Sequence, residues 1–273
     1  MQSRNAGRAR SLALALVLLG PLAPRAARAQ LAVNDLELFL APSGRSGRAG
    51  VIQVRNTTAH SVQVQVDLQD WERDLDGRNV FRPTGAGTRG SCGPNLKAYP
   101  MSFRLNARGS AALRVSYEGS DSVGCWGIVF VQTNERPPAV RQSHLTYVVR
   151  TGVKVYVQPP QARRDGAIEG VRVFDTTMAV PGTRRPLAMH RAEVLFRNTG
   201  EAHALVKGSL EVRQADGSEA ATIDVPEFPV VPGALRRLDT LLPALNPGHY
   251  LLVAMLDYGG DEIAAGQADF EVR

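Results

Sequence analysis

The sequence predicts an all-β protein built from two tandem sandwiches behind a cleaved leader. Three observations carry that expectation. From Gln30 onward, short stretches alternate apolar and polar residues and are broken by Gly, Pro, Asn or Asp about every ten residues, the period of half-buried strands. No comparable stretch sustains a 3.6-residue period over three turns, and interior prolines cut the candidates short. The pair Pro159-Pro160, with the polar run Gln161-Ala-Arg-Arg-Asp-Gly166 after it, ends a strand and stiffens the connection, dividing the chain into two halves. Each half suits a seven-strand sandwich of about 100 residues, so the economical architecture is two immunoglobulin-like β-sandwich domains at 30–159 and 160–273.

Residues 1–29 read as a signal peptide: Arg4, Arg8 and Arg10 open it, an apolar run covers 11–20, and Ala27-Arg28-Ala29 supplies a small-residue cleavage site. The run is too short to span a bilayer comfortably, so the mature chain is expected to start near Gln30, outside the cytoplasm. In the first half, strands are expected over 51–55, 62–66, 111–117, 127–131, 145–149 and 153–157. The second half adds 171–174, 192–196, 208–213, 250–256 and 268–272, with hairpin turns at Ala215-Asp-Gly217 and Tyr258-Gly-Gly-Asp261, where Gly accommodates positive φ. The halves echo each other: Val54-Arg-Asn-Thr57 and Phe196-Arg-Asn-Thr199 each close an apolar strand and precede another, which reads as a hairpin whose turn begins at Asn.

Composition excludes several classes. With 273 residues, 44% hydrophobic and 21% charged, the chain is neither disordered, collagenous nor a coiled coil. The net charge of +6 suggests a nucleic-acid partner only until it is located. Arg4, Arg8, Arg10, Arg25 and Arg28 lie in the leader, and removing these five from the 32 basic residues leaves 27 against 26 acids. A chain so near neutrality has no global attraction for a phosphate backbone.

Cys92 and Cys125 are the only cysteines, and in an oxidising compartment they are expected to form a disulfide, stabilising by about 3 to 4 kcal/mol in the chain-entropy model. A metal pair or a catalytic thiol lacks the CxxC spacing or neighbouring histidine either would need. His60, His144, His190, His203 and His249 stand at no metal-ligand spacing and read as surface or strand-end residues. Asp70, Asp74 and Asp76 before Gly77 faintly resemble a calcium loop, but no closing Glu completes it, and a hairpin turn fits better. No phosphate-binding, dinucleotide or nucleophile-elbow motif appears, so no enzyme, cofactor or metal is expected. Trp126, beside Cys125, is expected to pack a sandwich core against the disulfide, and Trp71 is likewise read as core.

Residues 31–159 resemble the N-terminal domain of periplasmic pilus-assembly chaperones of the chaperone-usher type. The matching segments are Val51-Ile-Gln-Val-Arg-Asn56, Val62-Gln-Val-Gln-Val-Asp-Leu-Gln-Asp-Trp71, Tyr99-Pro-Met-Ser-Phe-Arg-Leu105 through Gly109 to Leu113-Arg-Val115, and above all Tyr147-Val-Val-Arg-Thr-Gly-Val-Lys-Val-Tyr-Val-Gln-Pro159. The resemblance implies that this last strand is lent to an unfinished subunit by strand addition. Its donor positions would be Tyr147, Val149, Val153, Val155 and Val157, with Gly152 a potential bulge. Periodicity alone equally permits these to be core residues of an internal strand.

The resemblance further implies that two basic residues anchor the subunit's terminal carboxylate. Lys154 matches one, whereas the first-strand segment Asn34-Asp-Leu-Glu-Leu-Phe-Leu40 lacks the expected Arg and carries Glu37, a potential partner for Lys154. The implied partners are exported pilus or surface subunits and an outer-membrane usher, and the implied compartment is the periplasm. A structural or adhesive envelope protein using the sandwiches as spacers is the competing reading. A sugar-binding module would need more than 6% aromatic residues scattered along the chain. An exposed apolar strand edge over 145–157 favours the chaperone, and a covered one the structural protein.

Overall fold

In the computed structural model, residues 30–42, 48–86, 89–120, 124–133, 150–179, 182 and 187–273 are described. The leader, the predicted strand over 145–149 and His144 therefore lie outside the described residues. Alternation becomes strand nearly everywhere else. The first half holds β1 (Leu31–Val33), β2 (Glu37–Leu40), β3 (Ala49–Asn56), β4 (Val62–Arg73), β5 (Asn79–Pro83), β6 (Leu96–Tyr99), β7 (Ser102–Leu105), β8 (Ser110–Tyr117), β9 (Cys125–Thr133) and β10 (Arg150–Val157). The second holds β11 (Gly166–Met178), β12 (Leu187–Asn198), β13 (Ala204–Gln214), β14 (Glu219–Val230), β15 (Leu235–Leu241), β16 (Gly248–Asp257) and β17 (Ala264–Val272). The helical content among the described residues is one 3₁₀ turn at Gly93–Asn95, and no helix there is long and apolar enough to cross a membrane.

Each half forms a sandwich. In the first, the sheet β1-β3-β8-β6 faces β2-β10-β9-β4-β5, to which β7 adds along β4. Val54, Leu113 and Val115 of one sheet meet Val64, Val129, Val131 and Val155 of the other in a shared core. In the second, β11-β12-β15 faces β14-β13-β16-β17 around Val194, Phe196, Leu210, Val212, Leu252 and Leu256. Each fully buried side chain of this size stabilises its sandwich by about 1.5 to 3 kcal/mol. The protein is thus all-β, with two separate cores in tandem.

The glycine turns fall where expected. Gly217, at φ 85°, turns β13 into β14, and Gly259, at φ 77°, turns β16 into β17. Asp74 and Asp76 lie in a hairpin turn joining β4 to β5, with Gly77 at φ 81°, whereas Asp70 is a buried residue of β4 itself.

The Asn echo is a different structure from the predicted hairpin. β3 and β4 belong to facing sheets, as do β12 and β13, so each Asn begins an arch across the sandwich. The two arches share one bonding scheme. Asn56 Oδ1 accepts from the Thr58 amide and its Nδ2 donates to the His60 carbonyl, two and four residues on. Asn198 Oδ1 accepts from the Gly200 amide and its Nδ2 donates to the Ala202 carbonyl, again two and four residues on. Both side chains are buried, and they take up backbone groups that the crossing leaves without ladder partners.

Candidate functional site at the meeting of the sandwiches

β9 breaks the alternation of its neighbours because both of its faces are covered. Cys125, Val129 and Val131 enter the first core. Trp126, Ile128 and Phe130 point the other way, into a smaller apolar cluster with Trp71 of β4, Tyr156 of β10 and Val231, just past the end of β14. The second sandwich therefore meets the first on this face. The indole donors are satisfied there: Trp71 Nε1 donates to the Gly127 carbonyl at 3.0 Å, and Trp126 Nε1 to the Trp71 carbonyl at 2.9 Å. The turn after β4 reaches across as well. Its Leu75 carbonyl accepts from the Arg237 amide at 2.8 Å and from Arg236 Nη1 at 3.0 Å, while Asp76 pairs with Arg237.

The Cys92–Cys125 disulfide forms, with Cα atoms 4.9 Å apart. It ties the segment before β6 to β9, where the Cys92 amide donates to the Trp126 carbonyl at 3.1 Å and the Trp126 amide to the Gly90 carbonyl at 2.8 Å. Trp126 itself does not pack the disulfide core as predicted. Adjacent residues of a strand face opposite sides, so Cys125 points inward and Trp126 outward.

Charge gathers beside this cluster. Lys154 Nζ lies 4.7 Å from the centroid of the Trp71 ring and Arg73 Cζ lies 5.7 Å from it, both in cation–π range. Glu37 is in register with Lys154 across the parallel β2–β10 pair. The expected ion pair is nevertheless absent: Glu37 accepts from the Tyr156 hydroxyl at 3.4 Å, while the Lys154 stem carries the ammonium to Trp71. Burial, then the charge of Arg73, pulls the Lys154 pKa below its usual value, and Glu37 opposes them. Burial, then Glu37, pushes the Tyr156 phenol upward.

His203, at the entry to β13, is one of the expected strand-end histidines but is not at the surface. It is 6% exposed, its ring centroid 4.2 Å from that of Tyr156, and Phe39 stacks on Tyr156 from β2 at 5.2 Å. Burial first, then Lys154, Arg73 and Arg164, lowers its pKa from 6.5 to about 4. Among the described residues, His203 Nε2 and Arg73 Nε are buried side-chain atoms with no hydrogen-bond partner.

The predicted donor residues divide. Tyr147 and Val149 lie outside the described residues. Val153, Val155 and Val157 belong to the first core, at 1%, 0% and 2% exposure, so their side chains take the internal-strand alternative. Odd-numbered residues of β10 face the first core, and Tyr156 and Lys154 face the Trp71 cluster. Gly152 makes no bulge, since the register of β10 on β9 runs unbroken from Arg150 to Val157. The edge of β10 is covered over only half its length. β9 pairs with all of 150–157, whereas β2 pairs with 154–157 and its reach ends with the Leu36 carbonyl on the Lys154 amide at 2.9 Å. Residues 150–153 have no strand on that side among the described residues.

The sequence pointed to no role for Arg73 or Tyr156, and to none at a buried site for His203. For the first two a signal exists, which is phase: Trp71 and Arg73 in β4, and Lys154 and Tyr156 in β10, stand out of step with the core-facing valines of their own strands.

No model of a known protein family matches the chain, and no curated protein matches it in sequence. Among solved structures it is similar to a chain of a chaperone–tip adhesin complex described as vital for synergistic activation of CFA/I fimbriae biogenesis. That match has 11% identity over 88% of this chain and 98% of that one, with a TM-score of 0.50. The class 5 fimbriae chaperone CfaA is matched at 11% identity over 87% and 98% of the two chains, with a TM-score of 0.49. The first likeness spans both sandwiches and establishes a shared fold.

Proposed function

We propose that this protein is a divergent, non-enzymatic periplasmic chaperone of the chaperone-usher type, which binds exported pilus or surface subunits by β-strand complementation. The observation that carries the reading is the half-covered edge of β10. Among the described residues, 150–153 have no strand on the β2 side, and the sequence alternation continues back through Thr151, Val149, Tyr147 and Leu145. An open edge preceded by an alternating apolar segment is what strand addition uses: main-chain bonds for affinity and every second side chain for fit. The donor segment is accordingly placed before Val153, with Tyr147 and Val149 as its binding side chains and Lys154 as the contact for the subunit's terminal carboxylate. The domain boundary falls at 159/160, the signal peptide is cleaved near Ala29, and the complex is handed to an outer-membrane usher.

The test is co-purification from the native envelope, wild type against Val149→Asp, with mass spectrometry of bound proteins and thermal unfolding of each purified chain. Small β-rich subunits with the wild type, lost from a variant that unfolds at the wild-type temperature, support strand donation. Equal recovery of the same subunits with both, or none with the wild type, overturns it in favour of a structural envelope protein.

A further inference from the structure

On the premise that the protein is a strand-donating chaperone, we infer that Arg73 is the second cation of the carboxylate site and acts with Lys154 in place of a basic residue on the first strand of the sheet. β2 cannot supply that charge: the residue it sets beside Lys154 is Glu37, and its remaining members are Leu38, Phe39 and Leu40. Arg73 reaches the same place from the end of β4. The indole of Trp71, fully buried, lies within cation–π range of both side chains, and the Arg73 charge acts on Lys154.

Neither cation is closed into an ion pair among the described residues, and the one acid whose charge acts on Lys154 is Glu37. Lys154 Nζ has no hydrogen bond or ion pair there, and Arg73 spends one N–H, from Nη1 to the Gly77 carbonyl at 2.8 Å. That bond orients the guanidinium and leaves Nε without an acceptor. Arg236 lies close enough to add repulsion, but its Nη1 is spent on the Leu75 and Arg237 carbonyls. Glu37, the acid beside Lys154, is engaged by the Tyr156 hydroxyl. A carboxylate entering here would meet an ammonium and a guanidinium edge together, a point charge and a planar fork, the combination that distinguishes a carboxylate from its neutral amide. The apolar wall beside it, Phe39 on Tyr156, suits the last side chains of an extended chain rather than a free inorganic anion.

The experiment titrates the chain from Gln30 to Arg273 with an N-acetylated alternating Val–Thr heptapeptide bearing a free carboxylate, and with the same peptide as its C-terminal amide. Tryptophan fluorescence reads binding, since Trp71 lies against both cations. The wild type is expected to prefer the acid by about tenfold, Lys154→Gln and Arg73→Gln each to reduce the preference to about twofold or less, and Arg73→Lys to retain an intermediate preference. A thermal unfolding midpoint at the wild-type value reports that each variant folds. If Arg73→Gln keeps the full preference while Lys154→Gln loses it, Arg73 is outside the site and the inference fails with strand donation intact. A wild type that binds both peptides equally has no carboxylate site, and again only the inference falls. A wild type that binds neither peptide refutes the strand-donor reading and the inference with it.

Discussion

Lowering the pH should destabilise this protein through His203, and His203→Phe should remove most of that sensitivity. The folded imidazole titrates near 4, held down by burial and by Lys154, Arg73 and Arg164, against 6.5 for an ordinary histidine. Between these values the unfolded chain binds a proton that the folded one refuses, so stability present above about pH 6.5 is lost as the pH falls toward 4. From pH 7.5 to pH 4.5 the loss is about 2 to 3 kcal/mol, from roughly two units at 1.36 kcal/mol each. Against a total of about 5 to 15 kcal/mol this moves a urea midpoint visibly. Phenylalanine retains a ring against Tyr156 and Phe39 and removes both the titration and the unpartnered Nε2. Its stability at pH 7.5 should therefore match or exceed that of the wild type. Urea unfolding monitored by tryptophan fluorescence, at several pH values for both proteins, reads the difference. Parallel pH profiles would refute the burial of a neutral imidazole among cations.

The packing sets three further outcomes. Replacing Cys92 and Cys125 together by Ala should cost about 3 to 4 kcal/mol, read as a lower midpoint in thermal or urea unfolding, and an unchanged midpoint would contradict a stabilising bridge. Phe196→Ala, which empties the centre of the second core, should cost about 3 to 5 kcal/mol there. Amide exchange should then accelerate in β12, β13 and β16 while β4 and β9 stay protected, and equal acceleration in both halves would show a single cooperative core. Val153→Asp should abolish the near-ultraviolet dichroism of the first sandwich, since it places an unpaired carboxylate in a 1% exposed site, and a well-folded variant would contradict the inward orientation of Val153.

The strands were legible because alternation is a direct consequence of one wet and one dry face, and Val51-Ile-Gln-Val or Val62-Gln-Val-Gln-Val states it without ambiguity. Glycine turns at Gly217 and Gly259 were legible for a similar reason, since the backbone conformation itself demands the residue. The Asn56 and Asn198 arches were seen but misread. An Asn that caps a turn serves a hairpin and a sheet crossing alike, and only the pairing of β3 with β8 rather than β4 separates them. His203 was illegible because its burial depends on Tyr156 and Phe39, residues more than forty positions away in sequence.

The site was partly written in the sequence as a conflict of phase. In β4 the apolar positions 62, 64 and 66 are even, yet Trp71 and Arg73 are odd, and in β10 the valines 153, 155 and 157 are odd, yet Lys154 and Tyr156 are even. β9 carries apolar residues in both phases at once. One sheet with a second apolar face requires something to cover it, and a single sandwich has only one partner sheet to offer. The covering body must then be the other half of the chain, which places the out-of-phase Trp71, Tyr156, Arg73 and Lys154 at the joint between the sandwiches rather than on an outer surface. By the same parity, residues 145, 147 and 149 continue the phase of Val153, Val155 and Val157. The side chains proposed for a subunit and those filling the first core thus form one series in the sequence alternation. A bound subunit would extend the first core beyond its end, while its terminus, on the opposite face, would meet Lys154 and Arg73. On the proposed reading the two halves of the recognition fall in opposite phases of the sequence, and substitutions at 149 and 154 should impair binding independently.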